Sequence, residues 1–186
     1  AHGIFGYTEV KDAYFNALND WFTARFGFSF APKDVVKSPG VVFALAQAVR
    51  AFTRPGEGVL IQTPVYYPFY EVIRDNGRRI VTNPLRYEAG AYTMDFADFV
   101  RKIQSEKVKL FLLCSPHNPV GRVWTRAELE TLNEICERYG VLVISDEIHC
   151  DFVHSGHQHA CFGLINENAV IATAPSKTFN LAGLQV

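Results

Sequence analysis

Three short segments carry side chains whose types suit one piece of chemistry. Ser115-Pro116-His117-Asn118-Pro119-Val120-Gly121 offers an amide, Asp146-Glu147-Ile148-His149 a carboxylate, and Ala174-Pro175-Ser176-Lys177 an amine. Each follows an apolar run that reads as a β-strand, at 108–114, 141–145 and 169–173. Taken singly, each has a plain structural explanation: a solvated loop lysine, a turn or capping aspartate, and a turn signal in Asn-Pro. Taken together, they supply an amine able to form an imine, an acid able to hold a pyridine nitrogen protonated, and an amide able to bond a phenolic oxygen. A fourth piece stands earlier in the chain. Ser38-Pro39-Gly40-Val41-Val42 reads as a helix start, either an ordinary N-cap or a set of N–H groups at the positive end of a helix dipole, suited to a phosphate.

The elements that must position these groups are legible from periodicity. From Thr8 the pattern is helical, with Tyr14, Phe15, Leu18, Trp21, Phe22 and Phe26 as an apolar stripe read as mostly core, and Gly27 as its stop. A second helix follows Gly40, with Val42, Leu45, Val49 and Phe52 on one face, until Arg54-Pro55-Gly56 breaks it. A strand over 59–62, a helix over 67–75, a strand over 79–82 and a helix over 96–105 lead to the strand at 108–114. Thr125-Arg126-Ala127-Glu128 has the form of a capping box, and Leu129, Leu132, Ile135, Cys136 and Tyr139 carry the apolar face to Gly140. Strands this apolar are buried on both faces, and their alternation with helices predicts an α/β domain with a largely parallel sheet covered by helices. No repeat or long linker divides the sequence, so residues 1–186 are read as one domain. In open α/β sheets ligands sit beyond the carboxyl ends of the strands, where the three segments would converge if their strands are neighbours.

Composition narrows the function. The 186 residues are 48% apolar and 20% charged, as expected for a folded globular domain rather than a disordered one. A net charge of -1 leaves no basic surplus for neutralising many phosphates, so no nucleic-acid partner is expected. Cys114, Cys136, Cys150 and Cys161 form no C-x-x-C pair and sit in or beside apolar runs, which suits reduced thiols and a cytoplasmic location. No apolar run approaches the roughly 20 residues that span a bilayer, and no membrane association is expected. His154, His157 and His159 raise a metal site, but the stretch reads as a polar loop without a ligand at zinc spacing, and no metal is expected. No G-x-G-x-x-G follows the early strands, which speaks against a nicotinamide-binding domain.

At these segments the chain resembles fold-type-I pyridoxal 5′-phosphate (PLP) enzymes, and among them the C-S β-lyase branch near the class I/II aminotransferases. The likeness covers nearly the whole chain. It is carried by Phe5-Gly6-Tyr7-Thr8, Thr63-Pro64-Val65-Tyr66, the run from Ser115 to Trp124, Ser145-Asp146-Glu147-Ile148-His149-Cys150-Asp151, and Ala174-Pro175-Ser176-Lys177-Thr178-Phe179-Asn180.

The resemblance implies the large PLP-binding domain of that family, a three-layer sandwich of a mostly parallel sheet between helices, here in truncated form. It implies that Lys177 holds the cofactor as an imine and shuttles protons, that Asp146 pairs with the pyridine nitrogen, and that Asn118 bonds the phenolic oxygen. Tyr66 would stack on one ring face and Ile148 on the other. Gly40, Val41, Val42 and Ser176 would hold the phosphate, and Tyr7 would reach the phosphate of a neighbouring subunit in a homodimer. The sequence departs from aminotransferases at His149, where they carry a Tyr and the β-lyase branch a His. Ala174 and Gln185 replace a phosphate-binding Ser and Arg found in many relatives. The function implied is β-elimination on cystathionine or a related cysteine S-conjugate, with transamination of an amino acid as the alternative. A non-catalytic domain of this fold would have no need of both Lys177 and Asp146.

Overall fold

Residues 3, 6 and 10–184 of a computed structural model are described, and they fall into two compact units, Ala1–Lys37 and Ser38–Val186. In the first, helix α1 (Asp12–Phe26) ends at Gly27, whose left-handed φ of 69° lets its N–H reach the carbonyls of Phe22 and Thr23. The apolar stripe on α1 is less buried than its spacing suggests. Phe22 alone of the six is buried, packed edge-on against Phe26, Phe28 and Phe30, and the other five are partly exposed. A lone helix followed by a short segment has little within its own unit to bury a wide stripe against. Thr8 and the first helical residues expected with it lie outside the described residues or ahead of the helix.

The second unit is built on a five-stranded parallel sheet whose strands, from edge to edge, are Arg79–Pro84, Gly58–Thr63, Val108–Cys114, Leu142–Asp146 and Val170–Ala172. Its elements run α2 (Val41–Phe52), β1 (Gly58–Thr63), α3 (Pro68–Arg74), β2 (Arg79–Pro84), β3 (Arg86–Glu88), β4 (Ala91–Thr93), α4 (Phe96–Glu106), β5 (Val108–Cys114), α5 (Arg126–Tyr139), β6 (Leu142–Asp146), β7 (Val170–Ala172) and α6 (Pro175–Thr178). Successive residues of a strand face opposite sides of a sheet, so the apolar runs feed two cores at once. Val59, Ile61, Leu110, Leu112 and Ile144 pack with Val41, Leu45 and Val49 of α2 and with Phe69 and Ile73 of α3. Leu60, Phe111, Leu113 and Val143 pack on the other face with Phe99 and Ile103 of α4 and with Leu129, Leu132 and Cys136 of α5. The expected three-layer α/β sandwich, a parallel sheet between two layers of helices, is therefore the observed one.

Two elements differ from the sequence expectation. The buried stripe of α2 is Val41, Leu45, Ala48 and Val49, so Val42 and Phe52, expected inside, are 41% and 51% exposed. A run apolar on nearly every position does not say which face meets the sheet; contact with the strands decides it. The β3–β4 hairpin and α6 carry no periodic signal, because strands of three residues and a helix of four are shorter than any pattern that could announce them. Among the described residues no helix is long and apolar enough to cross a membrane.

Candidate active site

Register brings the predicted segments to one level. Cys114 of β5 pairs with Asp146 of β6, and Asp146 with Ala172 of β7. The ladder continues one step further, with Ser115 N–H donating to Asp146 O at 2.9 Å and Glu147 N–H to Ala172 O at 2.8 Å. The loops after all three strands thus leave the sheet side by side, as a ligand site at the carboxyl edge requires. A cavity of about 270 Å³ opens there.

Asn118, Asp146 and Lys177 line this cavity from three different strand ends, joined by Tyr66 after β1, by Ile148 and His149 after β6, and by Ser176 in α6. Gly40, Val41 and Val42 line it from the start of α2. The first intrahelical bond of α2 runs from Ala44 N–H to Gly40 O, which leaves the N–H groups of Val41, Val42 and Phe43 without an acceptor inside the helix. The Gly40 N–H is already given to Ser38 O at 2.8 Å, and its φ of 90° makes the turn that aims the helix start. Pro39, within the helix start read from sequence, also lines the cavity, as do Cys114 and Ala182, which sequence did not mark as site residues. Strand register marks Cys114, the partner of Asp146, but only once the strand order is known. Tyr7 and Gln185 lie outside the described residues.

Charge is unevenly matched in the cavity. Burial pushes the Asp146 carboxyl up to about 7; the Ile148 N–H, 3.1 Å from Oδ1, works against this, and the charge of Glu147 adds to it. Burial and, after it, the Lys177 ammonium hold His149 below its ordinary value, so its ring is neutral at physiological pH. Burial, the neighbouring Tyr67 and the charges of Asp146 and Glu71 raise the Tyr66 phenol, which keeps it protonated. The arrangement is an amine, a buried acid and a helix start with N–H groups lacking intrahelical acceptors, all lining one partly open cavity.

The family model for aminotransferases of class I and II matches residues 2–186. The chain belongs to this family. Within it, the chain is 48% identical over 188 residues to cystathionine β-lyase PatB of Bacillus subtilis (strain 168), a match that covers 99% of this chain and 49% of PatB. Cystalysin of Treponema denticola, whose crystal structure contains a PLP cofactor, superposes with a TM-score of 0.95 at 39% identity, covering 98% of this chain and 47% of cystalysin. A PLP-bound C-S lyase of Staphylococcus hominis also superposes with a TM-score of 0.95, at 38% identity, covering 98% of this chain and 49% of that one. The chain spans about half the length of these relatives.

Behind the cavity of this aminotransferase-family chain lies a buried cluster that sequence did not expose. The Glu147 carboxylate, fully buried, accepts the Ser145 hydroxyl at 2.9 Å, the Phe162 N–H at 2.8 Å and His159 Nε2 at 2.8 Å. His159, read from sequence as part of a polar loop, is therefore a buried structural group. Among the described residues no group of three His, Cys, Asp or Glu side chains is placed to hold a metal ion.

Proposed function

We propose that the full-length protein is a PLP-dependent C-S β-lyase that cleaves cystathionine or a related cysteine S-conjugate to a thiol, pyruvate and ammonia. The observation that carries the proposal is the meeting of Lys177, Asp146, Asn118 and the first turn of α2 on one cavity. The donor set fits the cofactor at each of its polar points: an amine for its aldehyde, a buried carboxyl for its ring nitrogen, an amide for its phenolic oxygen, and helix N–H groups with the Ser176 hydroxyl for its phosphate. When bound, PLP supplies an electron-poor ring that takes up the electron pair left by a departing Cα proton.

The residues then divide the remaining work. Lys177 Nζ would hold the cofactor, and as a free amine it would take the Cα proton and return it to the leaving sulfur. Asp146 would keep the ring nitrogen protonated, and the positive charge there would offset the burial that drives the carboxyl toward its neutral form. Tyr66, Ile148 and His149 line the same cavity, where Tyr66 and Ile148 would hold the ring from its two faces and His149 would serve the phenolic oxygen. The Val41 and Val42 N–H groups hold the phosphate. The likeness to PatB and the presence of His149 support elimination over transamination.

The cytoplasm, a small amino-acid substrate and a homodimer complete the proposal, with Tyr7 reaching the neighbouring subunit's phosphate. Apolar side chains exposed next to cavity-lining residues, Phe43 and Tyr67, support a partner surface. The test is a visible spectrum of the full-length protein with PLP before and after borohydride, for wild type and Lys177→Ala. A yellow band fixed by reduction in wild type alone supports the cofactor and its lysine. Pyruvate released from cystathionine without a keto-acid acceptor supports the lyase, and a strict need for that acceptor would make it an aminotransferase.

A further inference from the structure

Strands β1 and β5 are neighbours, yet the chain leaves β1 toward β2 on one side and β5 toward β6 on the other. The crevice at such a switch point forms because the two following loops diverge, and something must fix their spacing. Here the loops carry Tyr66 and Asn118, both of which line the cavity. The main chain makes one tie, Tyr66 N–H to Asn118 O at 3.0 Å. The second tie is a side chain: His117 Nε2 lies 2.9 Å from Pro64 O.

His117 is itself held from several directions. Its N–H donates to Arg122 O and its carbonyl accepts from Gly121 N–H, both at 2.8 Å. Its ring meets Trp124 edge-on at 5.5 Å, and the Trp124 Nε1–H donates to Cys114 O at 3.0 Å. A carbonyl can only accept, so Nε2 carries the proton; Nδ1 is buried and has no hydrogen-bond partner among the described residues. Burial holds the ring neutral by pushing it down to about 4. The ring does not line the cavity.

We propose that His117 is a positioning residue, whose Nε2–H bond to Pro64 O clamps the loop after β1 to the loop after β5 and so sets the distance between Tyr66 and Asn118 across the cofactor. The effect on the cofactor presupposes PLP in the cavity; the clamp itself does not.

The test uses the full-length protein with His117→Phe, which keeps an aromatic edge against Trp124 and deletes the donor, and His117→Gln, whose amide Nε2 can restore it. Without cofactor, the Tyr66 amide should exchange with solvent about tenfold faster in His117→Phe and near the wild-type rate in His117→Gln. With cofactor, His117→Phe should weaken PLP binding by about tenfold and shift its visible band, and His117→Gln should recover both. The cost of Tyr66→Ala on PLP binding should shrink in the His117→Phe background, since the ring would no longer be held in place.

Unchanged Tyr66 exchange in His117→Phe overturns the clamp. Changed exchange with unchanged PLP binding overturns its effect on the site. Should His117→Phe not fold, nitrogen NMR of the wild-type imidazole decides, because protonation at Nδ1 instead of Nε2 at neutral pH is incompatible with the bond. If wild type takes up no PLP, the cofactor assignment fails, and the exchange and tautomer results still judge the clamp.

Discussion

His159 Nε2 and Glu147 Oε2 lie 2.8 Å apart in a pair sealed from solvent, and the same carboxylate also takes the Ser145 hydroxyl and the Phe162 N–H. One residue along the chain, Asp146 faces the cavity from the end of β6. The strand end is thus divided between two acids, one committed to structure and one turned to the ligand.

Removing the structural acid should be costly. Glu147→Ala strips the acceptor from three buried donors, and breaking a buried, hydrogen-bonded pair by deleting one partner costs about 3–5 kcal/mol. Urea unfolding should show a loss of unfolding free energy of that size for Glu147→Ala, read as the midpoint shift multiplied by the m-value. His159→Ala should also destabilise, and the double variant should cost less than the sum of the two.

Asp146 should make the cofactor-free protein less stable as pH rises. Its folded value of about 7 lies above its ordinary 3.8, so between those limits the folded chain binds more protons than the unfolded one. Stability at this site is full below about pH 4, declines as pH rises through about 7 and is flat beyond, with a total change on the order of 4 kcal/mol. Asp146→Asn should remove that slope, as read from the difference between wild-type and variant unfolding at pH 5 to 8. On the proposed function, the same variant of the full-length protein should lose at least about a hundredfold in kcat, because the carboxylate assigned to the ring nitrogen is gone.

The start of α5 offers a smaller test. Thr125 Oγ1 accepts the Glu128 N–H at 3.2 Å, and Glu128 Oε2 accepts the Thr125 N–H at 2.8 Å. Arg122 adds two bonds of 2.8 Å to the same carboxylate. Thr125→Ala should therefore cost about 1 kcal/mol in chemical denaturation. Glu128→Ala should cost more, since it also leaves the Arg122 guanidinium without its carboxylate.

The cysteines should be inert in the folded protein. All four are buried and unbridged, and burial pushes Cys136 and Cys150 up to about 12 and Cys114 and Cys161 higher still. Alkylation mapped by mass spectrometry should leave these four unmodified at pH 7.5 until denaturant is added. Rapid native labelling of Cys114 would show instead that the cavity floor opens.

The sequence by itself determined the alternation of the longer helices and strands, the helix caps at Gly27, Thr125 and Gly140, and the segments that carry Asn118, Asp146 and Lys177 at or beyond three strand ends. These are local properties: apolar periodicity, capping chemistry and the turn preferences of Asn-Pro are read within a few residues of one another. Strand order was not local. Nothing within the run from 108 to 114 says that β1 lies on one side of it and β6 on the other, and that order alone brings Cys114 opposite Asp146 and Pro64 within reach of His117. The face that α2 buries and the burial of His159 were likewise settled by packing, because an evenly apolar helix and a histidine among polar neighbours each fit more than one environment until the opposing surface is in place.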